Sequence, residues 1–150
     1  MKAALACLPL LLLAACDALP RDPAGSSVRI RATKMLRVGV AQGEPDFGRA
    51  ASARLLGRLA RETGARPRLS AGSTEPLLMA LERGDLDLVL TPLDPESPWM
   101  TRVSLSPPLA ARGMDERRVT YHAVMRNGEN RWIMTVEKAA RRAADAGVEP

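Results

Sequence analysis

The chain contains two cysteines, one histidine and four aromatic residues among 150, and each scarcity closes a class of chemistry. Cys7 and Cys16 both fall close to the N-terminus. The body of the chain therefore holds no thiolate set for a metal, and removal of a leader carrying Cys7 leaves no pair for an internal disulfide. His122 has neither a serine nor a cysteine placed for it to activate, nor an acid placed to orient it. No metal-ligand spacing and no phosphate-cradling glycine loop occurs. Asp85 and Asp87 flank Leu86 at the start of a strand and read as a turn feature rather than an acid/base dyad. An enzyme is the least expected class, and no cofactor is expected. The aromatics Phe47, Trp99, Tyr121 and Trp132 are too scattered to stack bases, and the net charge of +5 is spread over arginine-bearing helix faces. Nucleic acid is not an expected partner.

Long hydrophobic runs are scarce too. Residues 3–15 are almost wholly apolar behind the positive Met1-Lys2. That suits a secretory leader and falls short of the ~20 residues a spanning helix needs. The run ends in Leu13-Ala14-Ala15-Cys16, which resembles the lipobox of bacterial lipoproteins. The resemblance implies that residues 1–15 are removed and that Cys16 receives a diacylglycerol as the new N-terminus. The other reading is an ordinary signal peptide in which Cys16 is one more small residue. Asp17, directly after the cysteine, resembles an inner-membrane retention signal. The expected location is the cell envelope, lipid-anchored and facing the periplasm, with the inner membrane favoured over the outer.

Residues 16–34 hold Pro20, Pro23, Gly25, Ser26 and Ser27 without an apolar period and read as a flexible tether; residues 35–150 read as one domain. Its first part alternates short β-rich runs at 36–40, 66–70 and 86–90 with two helical patterns. Asp46 opens the first helix, which carries Leu55, Leu56, Leu59 and Ala60 and stops at Gly64. Ser73-Thr74, with Pro76 in the first turn, opens the second, which carries Leu77, Leu78 and Leu81 and closes at Gly84. Two right-handed crossovers and an α/β fold follow, with a mainly parallel sheet flanked by helices. Ligands of such sheets sit beyond the carboxyl ends of the strands, here residues 42–47, 71–75 and 91–99. Residues 102–109 are extended and end in Pro107-Pro108, and 110–118 form a polar connector. Residues 119–126 alternate Val119, Tyr121, Ala123 and Met125 against Thr120, His122, Val124 and Arg126, as in a half-buried strand. Trp132, Ile133, Val136, Ala139, Ala140 and Ala143 make the apolar stripe of a last helix ended by Gly147.

The order of segments "LRVGVAQGEPDF", "GSTEPLLMALERGDLDLVLTPL" and "VSLSPPL" resembles the family 3 extracellular solute-binding proteins of amino-acid-type ABC transporters. "VTYHAVMRNGENRW" and the final helix are similar to that family's return segment. The resemblance implies a periplasmic-binding-protein-like (type II) fold and a small-molecule ligand. Family members place a complete second lobe before the return strand, where this chain has only residues 110–118. A single lobe is therefore expected. The family also carries an arginine after the third strand to pair with a bound carboxylate; Trp99 stands at that position, and Arg102 follows three residues later.

The candidate ligand-binding residues are Phe47, Ser73, Thr74, Thr91, Trp99 and Arg102. Phe47 covers the ligand by resemblance or packs the start of its helix. Ser73 and Thr74 bond a ligand or cap theirs. Trp99 is a partner anchor or a lid over the sheet edge. Two functions follow. One is a membrane-anchored lipoprotein whose solute-binding-like lobe assists small-molecule binding or transport in the periplasm. The other is an envelope interaction or scaffold protein that has lost ligand capture and engages an envelope protein. On either reading Leu88 belongs to a strand buried on both faces. Leu88→Asp is expected to abolish the cooperative circular dichroism melt, because an unpaired buried charge costs several kcal/mol against a total of ~5–15. A melt barely altered would remove that strand from the core.

Overall fold

The computed structural model describes residues 21–43, 46–94, 96–112 and 119–145. Cys16, the leader, residues 113–118 of the connector and Gly147 lie outside them, as does the side chain of Phe47. The three β-rich runs form β1 (Met35–Ala41), β2 (Arg66–Gly72) and β3 (Leu88–Pro92), linked by helices α2 (Asp46–Thr63) and α3 (Thr74–Arg83). β1 lies between the other two and pairs parallel with both. α3 ends because Gly84 adopts a left-handed conformation, φ +80°, from which its N–H bonds back to the last turn of the helix.

From the carboxyl end of β3 the chain returns along the α3 side of the sheet through a 3-10 turn (Pro98–Thr101) to the opposite end. There β4 (Val103–Leu105) begins, with Val103 paired to Arg126. β4 and β5 (Ala110–Arg112) lie end to end along one side of β6 (Val119–Arg126), and β3 lies along the other. The strand order is β2-β1-β3-β6-β4, with β5 also on β6. The parallel expectation thus holds for β2-β1-β3, built by helical crossovers, while β6 runs against its neighbours and makes the whole sheet mixed. Between β4 and β5, Pro107 and Pro108 offer no N–H to the ladder. Ser106 bridges the gap: its Oγ accepts from Ala123 N at 3.1 Å, and its N–H donates to Ala123 O at 2.8 Å.

The apolar residues divide by the two-residue period of the strands. Leu88 and Leu90 of β3, with Tyr121, Ala123 and Met125 of β6, face a cluster covered by α2 and α4 (Asn130–Asp145). Val89 and Val124 face a second cluster with Leu77, Leu78 and Leu81 of α3. Leu88 is fully buried. β6 is not half-buried as its alternation suggests: residues 121–125 are all buried, because both faces of the sheet are covered there.

Residues 21–34 correct the tether expectation. They include α1 (Ser26–Thr33), whose Ile30 is fully buried in the first cluster. Two carboxylates pin the segment. Glu129 accepts from Ala24 N at 2.7 Å and Ser26 N at 2.9 Å, while Asp22 accepts from Ser27 N at 3.0 Å and Trp132 N at 2.9 Å. Each thus satisfies N–H groups at a helix start that would otherwise lack partners. Burial works to raise the Glu129 pKa, but its bonds to Ser26 and Ala24, with the charge of Arg126, hold it below the ordinary value.

Asp87 lies just before β3, and its side chain is fully buried. Its carboxylate pairs with Arg29 of α1 and accepts from Arg37 Nη2 and Arg37 N of β1, both at 2.8 Å. Its N–H donates to Arg37 O at 2.9 Å, and its carbonyl accepts from Trp132 Nε1 of α4 at 2.8 Å. The sequence reading of Asp85 and Asp87 as a shared turn feature holds for Asp85, which pairs with Arg83 on the surface, but Asp87 is a junction of four elements. Burial pushes its pKa up; hydrogen bonds from Arg37 and Arg29 outweigh this and hold it below the usual carboxylate value. The depressed value means that the contribution is complete above the unfolded pKa near ~3.9 and is lost as pH falls through the folded value. Asp87→Asn is expected to cost roughly 2–4 kcal/mol at neutral pH, with the half-exposed arginines limiting the loss. Urea melts across a pH series check this: the gap from wild type should stay constant above about pH 5 and narrow below ~4.

Candidate functional site

The carboxyl ends of β1, β2 and β3 meet the first turns of α2 and α3. Gln42 N donates to Gly72 O at 2.8 Å, tying the exit of β1 to that of β2. The start of α2 lies hard against β6: a Cβ on Gly48 would stand 3.2 Å from ring carbons of the buried Tyr121, so only glycine allows this approach without displacing the ring. These contacts fix the carboxyl end of the sheet, where open α/β sheets hold their ligands in a crevice, and Thr74 and Thr91 lie in its floor.

Thr91 Oγ1 donates to Pro92 O at 3.0 Å, and Thr74 Oγ1 lies 3.0 Å from Thr91 Oγ1. With the Thr91 proton committed to Pro92, Thr74 is the donor of the second bond. Thr91 is fully buried, so it positions Thr74 rather than meeting a ligand itself. Ser73 occupies the N-cap position of α3 with its side chain exposed and without a capping hydrogen bond, contrary to the capping expectation. Its hydroxyl and the half-buried Thr74 are the polar groups this floor presents. Exposed Asp46, Glu75, Asp94 and Glu96 lie at the same end of the sheet, with Asp46 3.4 Å from Arg49 and exposed Arg112 of β5 at that end too. Among the described residues no three His, Cys, Asp or Glu side chains converge to hold a metal ion. His122 is occupied by structure: Nδ1 donates to Ser106 O and Nε2 faces Thr120 Oγ1, each at 2.9 Å.

The structure does not bring Trp99 and Arg102 to this floor. Trp99, 8% exposed, packs into the second cluster with Leu93 and Val103, as a lid over the sheet beside α3. Arg102 lies 4.3 Å over its ring and bonds Glu82 at 2.9 and 2.5 Å. Glu82 is eight residues along α3 from Thr74, about 12 Å at 1.5 Å per residue. An arginine near the position expected to bind carboxylate thus serves packing. Arg102→Ala is expected to lower stability by about 1 kcal/mol, the sum of an exposed ion pair and a cation–π contact, and to lower Tm by roughly 3–5 °C. Calorimetry with parallel ligand titrations checks it: reduced ligand affinity at unchanged Tm would return Arg102 to the site.

Recesses open elsewhere. One of about 210 Å³ lies at the amino end of the sheet beside Arg29, Arg83 and Arg126, and one of about 360 Å³ lies between α2 and α4 beside Arg58, Arg61 and Arg142. Neither is legible in the sequence, since their residues come from segments far apart in the chain.

No protein-family model and no curated protein sequence matches the chain. Solved structures do. A point mutant of the arginine-bound form of domain 1 from TmArgBP, the arginine-binding protein of T. maritima, is similar with a TM-score of 0.66 at 17% identity, over 79% of this chain and 98% of that one. An ancestral cationic amino acid solute-binding protein is similar with a TM-score of 0.65 at 13% identity, over 81% and 95%. An amino acid ABC transporter substrate-binding protein from Streptococcus pneumoniae, bound to L-arginine, gives a TM-score of 0.65 at 11% identity, over 80% and 93%. The chain therefore has the α/β fold of a single solute-binding-protein lobe, the architecture that its segment order implies.

Proposed function

We propose that the protein is a lipid-anchored lobe of the cell envelope, facing the periplasm, that holds small molecules weakly at the carboxyl ends of β1, β2 and β3. It would thereby assist their binding or transport rather than transform them. One observation carries this reading: an isolated domain known in an arginine-bound form matches this lobe over 98% of its length. That form of a single domain supports the reading that one lobe of this fold can hold a ligand. The anchor is the diacylglycerol on Cys16, whose lipobox resemblance supports it; two acyl chains hold a membrane stably where one does not. The inner membrane is the favoured location, from Asp17.

Affinity should be low. Among the described residues no arginine is hydrogen-bonded to Thr74 or Thr91, so a ligand carboxylate there would lack charge-assisted bonds of roughly 1.5–3 kcal/mol each from them. The acidic rim of Asp46, Glu75, Asp94 and Glu96 favours cationic amino acids among candidates. A second reading, an envelope scaffold without ligand capture and with a protein partner, is favoured by the commitment of Arg102 to Glu82. Isothermal titration with the twenty common amino acids separates the two. The first reading predicts dissociation constants no tighter than about 0.1 mM, roughly −5.5 kcal/mol, with arginine or lysine foremost. Silence at every concentration would favour the scaffold, and micromolar binding would mean that another group has replaced the arginine. Intact mass and detergent partitioning of wild type and Cys16→Ser test the anchor: unmodified wild type in the aqueous phase would refute it.

A further inference from the structure

The chain enters the lobe at the end opposite the crevice. Arg21 O accepts from Asn130 N at 3.1 Å, at the turn from β6 into α4. Cys16 precedes Arg21 by five residues, a reach of at most about 17 Å even when fully extended. The crevice end is a helix length away, about 27 Å along the 18 residues of α2. An anchor at Cys16 therefore keeps the foot of the sheet close to the bilayer.

The surface at that foot suits such a neighbour. α1 turns Val28 outward, 64% exposed, beside Arg31, and Lys34 and Met35 follow. Met35 is the register partner of Arg66 at the start of β2. Arg31, Lys34 and Arg66 make no ion pair among the described residues. Arg29, Arg37 and Arg126 deeper in the same end are already paired with Asp87 and Glu129. At the crevice end the exposed charges without an ion pair among the described residues are mostly of the other sign: Glu75, Asp94 and Glu96, against the single cation Arg112 of β5. An anionic surface within a Debye length attracts the first end and repels the second.

We infer that the lobe stands on anionic phospholipid through Val28, Arg31, Lys34, Met35 and Arg66, with its crevice open away from the bilayer. The cations meet headgroup phosphates, and the two apolar side chains meet the interface between them. This rests on the anchoring of Cys16 proposed above. It makes orientation a property of the fold: the crevice is presented to periplasmic solutes and partners, not pressed against lipid.

The test uses the full-length protein in nanodiscs containing phosphatidylglycerol and a headgroup-nitroxide lipid. A fluorophore is placed on Val28→Cys or on Glu75→Cys, both exposed positions, and intact mass is recorded for each sample. The Val28 probe is expected to be quenched about threefold more than the Glu75 probe, in line with the attraction of several cations for an anionic surface. The ratio should fall toward unity when phosphatidylcholine replaces phosphatidylglycerol, and likewise in Arg31→Glu/Lys34→Glu. Equal quenching of an acylated protein, stronger quenching at Glu75, or a ratio indifferent to lipid charge would overturn the inference alone. A protein without acyl mass would overturn the anchoring reading and this inference with it.

Discussion

The buried carboxylate of Asp87 is the constraint on which the rest of this lobe depends. A charge taken out of water must be matched almost completely, and the match is made by Arg29, Arg37 and the backbone of β1. Its own N–H and carbonyl bind β1 and the indole of Trp132, so one residue fixes how α1, β1, β3 and α4 meet. The consequence reaches the other end of the sheet. With β1 and β3 aligned at the foot, their carboxyl ends finish level, and Thr74, the first residue of α3, places its Oγ1 3.0 Å from Thr91 Oγ1.

The two ends of the sheet thus divide the polar chemistry. Structural charge is concentrated at the foot, where Asp87 and Glu129 are buried and paired. The floor of the crevice holds neutral hydroxyls, which cost little to desolvate and supply orientation more than affinity. Similarity to solute-binding lobes fits this layout, and so does weak capture. Trp99 and Arg102, which the family resemblance sets near a ligand, serve packing in this lobe. The tryptophan fills the second cluster, and the arginine closes over it onto Glu82.

What was legible in the sequence is what local patterns encode. β1, β2, β3, α2 and α3 emerge from period-2 and period-3.6 spacing with Gly64 and Gly84 as stops, and their alternation implies the crossovers and the position of the crevice. What was illegible depends on contacts across the chain. Residues 21–34 look like a tether because their order comes from Glu129, more than 100 residues away, and not from an apolar stripe. Asp87 looks like a turn residue because Arg29 and Arg37 lie 58 and 50 residues before it. β6 alternates like a half-exposed strand, yet α3 covers the face that its polar positions suggest is open. In the candidate site Thr74 and Thr91 were legible from the carboxyl-end rule, whereas the withdrawal of Trp99 and Arg102 was not. Their direction is set by Leu78, Leu81 and Glu82 on a helix packed beside them.

The central claim is that a crevice with a neutral floor, at the carboxyl ends of the parallel strands, is where this lobe meets small molecules. Amide shift mapping on the nitrogen-15-labelled protein during titration with arginine tests it most directly, since it detects binding too weak for most other methods. The account predicts perturbations gathered at Ala41, Gly72, Ser73, Thr74 and Thr91, with the amides of Gly84, Asp87 and Arg126 at rest. Shifts centred instead on the foot, or on Arg58, Arg61 and Arg142 between α2 and α4, would contradict it.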